Sequence, residues 1–432
     1  MKFTVIGISD NPQPWFPPKV LELIRNGRVF SGGKRHHEIM APLLPPQTEW
    51  IDISVPLDDV FKKYHDDVVV FASGDPLFFG FANTIKRKMP EAKIVLYPSF
   101  NSLQILAHRL IMPYHDMRIV SLTGRPWPEF DKALIERVEK IGILTDKEHT
   151  PAAIAQRMIA YGYTDYTMFV GEHLGNPLLE KVTTLTLGEA AQREFEHPNC
   201  LILNLCNLCN SCVPPVASEQ SSSAWSKKLS QFGIPDSEFA LLDGREKMIT
   251  KMPIRLLTLQ ALDLPQKHVL WDIGFCTGSV SIEARLLFPH LEIHAFEIRP
   301  ECEAIINENT RRHHAPGINV HIGDFLNFQF SARPLVACKA RIFNSQLPHP
   351  DAVFIGGHGG KLKEIMSKVL TVLTDDGIIV FNSVVAPKVT VDSKKLWDEA
   401  CDELGLQQLP PLHIQLNDNH PITISKGKKV KK

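Results

Sequence analysis

Four groups of residues have the types and spacing to bind a nucleotide-like ligand. The run Trp271-Asp272-Ile273-Gly274-Phe275-Cys276-Thr277-Gly278-Ser279 follows an apolar stretch and precedes the helix-like Val280-Ser281-Ile282-Glu283-Ala284. Glycine there lets backbone approach a ligand at the carboxyl end of a strand, which is where open α/β sheets bind. The next apolar run ends in Phe296-Glu297, and a carboxylate at that point can accept both hydroxyls of a ribose. A third run is followed by Gly323-Asp324. Nearer the N-terminus, Ser73-Gly74-Asp75-Pro76-Leu77-Phe78-Phe79-Gly80 follows the strand-like Val68–Phe71; taken alone it reads equally well as a Gly-Asp-Pro turn.

Basic and thiol residues form the other candidates. Lys34, Arg35, His36 and His37 make the densest basic cluster of the first half, and Lys251 and Arg255 make another in the second. Each can hold an anionic substrate or can simply be a solvated helix terminus. His358 lies among Gly356, Gly357, Gly359 and Gly360, as a proton donor or acceptor or as an exposed loop residue. Cys206, Cys209 and Cys212 are spaced C-x-x-C-x-x-C with Cys200 upstream, a pattern that can bind metal. Zinc sites usually draw their pairs from separate segments, so the preferred reading is a linker with reduced thiols, and no metal is expected.

The elements that must position these groups follow from composition and periodicity. A chain of 432 residues predicts two or three domains. Hydrophobic residues at 44% and charged residues at 22% are globular values, and no apolar run approaches the ~20 residues of a membrane span. The opening Met1–Ile8 reads as a strand rather than a secretory signal, so the expected location is cytoplasmic. Lys plus Arg is 47 against 48 for Asp plus Glu, a formal net charge of −1 that argues against general nucleic-acid binding, and no membrane partner is expected. The basic run from Lys426 to Lys432 reads as a solvated tail. Short β-rich runs alternate with helical stretches in both halves, an α/β pattern. Between Asn204 and about Lys228 the sequence turns to Asn, Cys, Pro and Ser, which predicts domains at 1–205 and 231–432 joined by a linker at 206–230.

Asp272–Gly278, in the pattern D-x-G-x-x-T-G, together with Glu297 and Asp324 at the ends of successive strands, resembles the class I S-adenosyl-L-methionine (SAM) methyltransferases, with a Rossmann-like fold. Together with Gly233–Phe239, Ile249–Arg255 and Pro350–Gly360, the motifs over about Gly233 to Val384 resemble the decarboxylating half of the precorrin-6Y C5,15-methyltransferase family. Residues 1–205 resemble the tetrapyrrole (corrin/porphyrin) methylases, a two-lobed α/β fold, through Val5–Ile8, Ser31–Arg35, Ser73–Gly80, Tyr97–Gln104, Ser121–Arg125, Leu144–Asp146 and Gly171–Gly175. Relatives commonly carry glycine at Cys276, glutamate within Met252-Pro253, a G-x-G-P-G loop near Gly7 and histidine at Thr123.

The resemblance implies a bifunctional enzyme. The first domain would methylate C5 of a polycarboxylate tetrapyrrole; the second would methylate C15 and decarboxylate the ring C acetate, with one SAM per domain. It implies SAM contacts from Gly74, Asp75, Pro76, Ser102, Thr145 and Asp146 in the first domain. In the second it implies Asp272, Gly274, Thr277, Gly278, Glu297 and Asp324. Lys34 and Arg35 become candidates for substrate carboxylates, and Lys251, Arg255 and His358 for catalysis. A homo-oligomer is expected. Two rivals stand beside this reading: a methyltransferase acting on RNA or another small molecule, and a tetrapyrrole-binding protein that has lost catalysis.

Overall fold

The computed structural model describes residues 1–206, 233–245, 248–330, 347–384, 393–416 and 421–429. They form two compact units: residues 1–126, 137–159 and 163–206 belong to the first, and residues from 233 onward to the second. Cys209, Cys212 and nearly all of the expected linker lie outside the described residues.

The first unit contains two five-stranded sheets. One is built from β1 (Lys2–Ile8), β2 (Val29–Gly32), β3 (Glu49–Asp52), β4 (Val68–Ser73) and β5 (Lys93–Tyr97), all parallel, in the order β3-β2-β4-β1-β5. Its central strands are covered on both faces, so Phe3–Ile8 and Val68–Ala72 are buried without interruption and read as continuous rather than alternating apolar runs. The second sheet contains β6 (Arg118–Ser121), β7 (Lys140–Leu144), β8 (Tyr166–Glu172), β9 (Lys181–Thr186) and β10 (Asn199–Leu205), in the order β6-β7-β10-β8-β9. Only β6 and β7 are parallel. Cys200 sits in the central strand β10, fully buried, and burial pushes its thiol up to about 12.

The second unit is one seven-stranded sheet. β11 (Val269–Ile273), β12 (Glu292–Glu297), β13 (Ile318–Ile322), β14 (Ala352–Ile355) and β15 (Ile378–Val384) are parallel; β16 (Gln407–Ile414) and β17 (Ile422–Lys428) complete the order β13-β12-β11-β14-β15-β17-β16. Side chains alternate between two cores. Trp271, Ile273, Val353, Ile355, Ile379 and Phe381 pack with helices Leu362–Leu370 and Ser393–Leu404. Leu270, Ala352, Phe354, Ile378 and Val380 pack with helices Met252–Ala261 and Ser279–Leu287. Helices on both faces require this period-2 alternation of buried side chains.

One expectation is corrected here. Lys426 and Lys428 are not in a solvated tail but in β17, antiparallel to both β15 and β16. The strand is held by buried Thr423, Ile424 and Ser425, and its lysine stems can lie along the surface with the charged ends outward. Lys429 donates through Nζ to the Leu370 and Leu373 carbonyls. No helix among the described residues is long and apolar enough to cross a membrane.

Candidate functional sites

The first unit has a cavity of about 600 Å³ at the carboxyl ends of β1 and β4, within the size range of small-molecule sites. Its floor is a backbone crossing. Gly74, in the left-handed region at φ +61°, donates to the Ile8 carbonyl at 2.8 Å, and its own carbonyl accepts from Ser99 at 3.3 Å. A Cβ on Gly7 would sit 1.8 Å from the Gly74 carbonyl oxygen, so these backbones meet with no room for a side chain. Phe78, Phe79, Phe81 and Phe100 contribute aromatic wall, and Asn101 caps helix Ser102–Arg109 beside it.

Of the sequence candidates, Gly74, Ser102, Thr145 and Arg35 line this cavity, whereas Asp75, Pro76, Asp146 and Lys34 do not. The Asp75 carboxylate accepts from the Leu77 amide at 2.8 Å and shapes the turn. Asp146 accepts from the amides of Gly124, Glu148 and His149 at 2.7–2.9 Å; against partial burial, these bonds hold its carboxyl below the usual range. Thr145 donates to the Asn199 carbonyl at 2.6 Å. Arg35 pairs with Asp10 at 3.1 Å and donates to Ser73 at 2.9 Å. His36 accepts the Gly33 amide on Nδ1 at 3.2 Å and is pushed down to about 4 by burial and by Arg35, so at neutral pH it is an uncharged donor to Ser73. Within the basic run, Arg35 is therefore the charge presented to the cavity. Arg125, lying over Phe79 at 5.1 Å, is a second lining cation.

In the second unit the glycine run turns at the end of β11. Gly274, at φ +79°, donates to the Phe296 carbonyl at 2.7 Å, and a Cβ on it would fall 2.6 Å from the Gly357 amide nitrogen. The loops after β11 and β14 thus lie backbone against backbone at Gly356 and Gly357, whereas Gly359 and Gly360 have open space around them and serve the turn through positive φ angles of +54° and +83°. Cys276 occupies the left-handed region at φ +49°, where glycine is unstrained, and packs among Phe275, Cys302 and Ile306. Thr277 is buried, with its carbonyl held by Asn309 at 2.9 Å, and Gly278 begins helix Ser279–Leu287.

The carboxylates at the strand ends are strongly engaged. Glu297 is 4% exposed and accepts from the amides of Cys276, Ile298 and Arg299 and from the Arg299 guanidinium. Arg299 overcomes the effect of burial and holds the Glu297 carboxyl below its ordinary range. Asp324 accepts from the Leu326 amide at 2.9 Å and pairs with Lys361 at 3.2 Å, and both lower its pKa. Asp272 is fully buried; one oxygen accepts from Ser281 at 2.6 Å and the other has no protein donor. Glycine-shaped backbone, an unsatisfied buried oxygen and a carboxylate on the neighbouring strand make a set that fits an adenosine-bearing cofactor.

Burial pushes Asp272 up to about 7. Its folded pKa exceeds the unfolded value near 3.9, so the native state binds the extra proton between those limits, and stability falls as pH rises from about 4 to about 7. Asp272→Asn is expected to remove roughly 2–4 kcal/mol of that pH-dependent loss. Denaturant unfolding of wild type and variant at pH 5 and pH 8 checks this, and parallel pH profiles would contradict it.

One further candidate is corrected. Arg255 is neither a solvated helix terminus nor open to an anionic substrate: it is fully buried, ion-paired with Glu283 and with Asp236 at 3.2 Å, bonded to the Thr250 and Ile234 carbonyls, and stacked over Phe239 at 5.0 Å. It fastens residues 234–239 to helices Met252–Ala261 and Ser279–Leu287. Lys251 pairs with the same Asp236 at 3.7 Å. His358 is half-buried, accepts the Gly360 amide at 3.2 Å and lies edge-on to Phe381 at 5.6 Å; burial lowers its pKa. Among the described residues, no group of three or more His, Cys, Asp and Glu side chains is arranged to hold a metal ion.

Residues 2–191 match the family model for tetrapyrrole (corrin/porphyrin) methylases, and residues 243–426 match that for the precorrin methyltransferase domain. A precorrin-6Y C(5,15)-methyltransferase [decarboxylating] of Sinorhizobium sp is 30% identical over 386 residues, covering 88% of this chain and 84% of that protein. The chain belongs to the decarboxylating precorrin-6Y C5,15-methyltransferase family. In Salmonella typhimurium the halves have separate counterparts. A cobalt-precorrin-6B C(15)-methyltransferase (decarboxylating) is 33% identical over 190 residues, covering 42% of this chain and 90% of that protein. A cobalt-precorrin-7 C(5)-methyltransferase is 28% identical over 172 residues, covering 40% of this chain and 84% of that protein. As a member of this family the chain is a SAM-dependent methyltransferase, and both family halves are present. Arg299 and Asp10 are site residues that sequence motifs missed, and Arg125 closes the run Ser121–Arg125, whose motif assigns it no role.

Proposed function

We propose that the chain methylates precorrin-6Y, or its cobalt-bearing counterpart, at C5 in domain 1–205 and at C15 in domain 231–432, with decarboxylation of the ring C acetate in the second domain. The observation that carries this reading is the presence in one chain of a glycine-floored cavity in the first unit and a glycine loop backed by Glu297 in the second, each in the half matching the corresponding family. SAM, when bound, supplies a methyl group on a sulfonium centre. The protein's task is alignment, since a conjugated tetrapyrrole furnishes its own carbon nucleophile and its own electron sink for loss of carbon dioxide.

Gly7 lets the Gly74 backbone cross beneath the cavity, Gly74 lines it where the first cofactor would lie, and Arg35 and Arg125 offer cations to substrate carboxylates at the same cavity. In the second domain Gly274 opens the loop, and Glu297 takes the ribose. The net charge of −1 weighs against an RNA substrate, and the intact glycine crossings weigh against a merely sequestering role. A cytoplasmic homo-oligomer with residues 206–230 as linker completes the proposal.

Two SAM molecules per chain are expected by calorimetry. Glu297→Ala should weaken one site by about 1.5–3 kcal/mol per lost charge-assisted hydrogen bond and leave the other unchanged. A single site in the wild type would refute one cofactor per domain.

A further inference from the structure

The Glu297 carboxylate has no acceptor capacity left. Its Oε1 accepts from the Ile298 amide at 2.9 Å, the Arg299 amide at 3.2 Å and Arg299 Nε at 3.0 Å. Its Oε2 accepts from the Cys276 amide at 3.1 Å and Arg299 Nη2 at 2.8 Å. A carboxylate offers about four lone-pair sites, so five donors saturate it. Three of the five are backbone amides, fixed by the end of β12 and the turn after β11. The other two belong to one side chain, which is 34% exposed while its partner is 3% exposed. Beyond Glu297, the guanidinium meets two sulfurs, that of Met248 at 3.9 Å and the Cys276 thiol, both weak acceptors that do little to hold it.

We propose that Arg299 is a built-in competitor at the second cofactor site: the ribose hydroxyls reach Glu297 only as the Arg299 guanidinium swings out, so this side chain sets how tightly the second domain takes adenosine. The proposal rests on the reading that Glu297 receives the ribose. It follows from counting. Two incoming hydroxyls need two acceptor positions, and only the guanidinium's two hydrogen bonds can be surrendered without unmaking the strand end. The neighbouring strand repeats the arrangement in looser form, since Asp324 is paired with Lys361, whose side chain is 54% exposed. The bidentate fork at Glu297 is the more demanding of the two to displace.

The test is S-adenosylhomocysteine binding to the full chain by calorimetry, comparing wild type, Arg299→Ala, Arg299→Lys, Glu297→Ala and the Glu297→Ala/Arg299→Ala double variant. Arg299→Ala should tighten one site about five- to tenfold and leave the other unchanged. Arg299→Lys, which keeps the charge but loses the fork, should fall between. In the Glu297→Ala background, removing Arg299 should make no difference. Unchanged or weaker binding in both Arg299 variants, with Glu297→Ala still weakening one site, would overturn the competitor role while leaving the ribose reading intact. If Glu297→Ala alters neither site, the ribose reading fails and the proposal with it.

Discussion

Arg255→Ala is expected to destabilise the second unit by about 3–5 kcal/mol, because it strands a buried carboxylate. Arg255 is fully buried and is the ion-pair partner of Glu283, itself 2% exposed. Removing the guanidinium leaves Glu283 with one remaining donor, the Ile234 amide at 3.2 Å, and releases two backbone carbonyls and Asp236. Lysine should not rescue, since one ammonium cannot span four acceptors on three segments. Denaturant unfolding followed by the fluorescence of buried Trp271 and Trp397 reads the loss. A change under about 1 kcal/mol would mean that the clamp is dispensable.

Gly7→Ala is expected to abolish methylation at C5 while sparing the C15 reaction. The new Cβ would lie 1.8 Å from the Gly74 carbonyl oxygen and 2.8 Å from the Ser99 amide nitrogen, both backbone atoms. No rotamer change relieves that clash, so β1 or the loop after β4 must move and the cavity floor with them. The expected product carries one new methyl group and has lost carbon dioxide. Two methyl groups added at the wild-type rate would show that the crossing is not the cofactor floor.

Much of the architecture is legible in the sequence because parallel strands buried on both faces leave plain apolar runs, such as Val68–Phe71 and Val269–Ile273. Their carboxyl ends then locate Gly74, Gly274 and Glu297 without further information. What escapes is whatever depends on partners far along the chain. Arg255 looks like an exposed cation until helix Ser279–Leu287 brings Glu283 to it. His36 counts as basic until burial and the neighbouring Arg35 make it neutral. Lys426–Lys428 reads as a charged tail because lysines mask the small buried residues that fit β17 between its neighbours. Asp75 and Asp146 carry their family's motif positions, but their carboxylates are used by local amides, a use that spacing cannot distinguish from ligand binding. Arg299 is two residues past a recognised motif, and only its fork on Glu297 gives it meaning.

Mass spectrometry of the products formed from precorrin-6Y, and separately from its cobalt counterpart, with SAM and the purified full chain tests the central claim most directly. The account predicts that one of the two substrates gains two methyl groups and loses one carbon dioxide. Recovery of both substrates unchanged, under conditions in which the chain binds SAM, would contradict it.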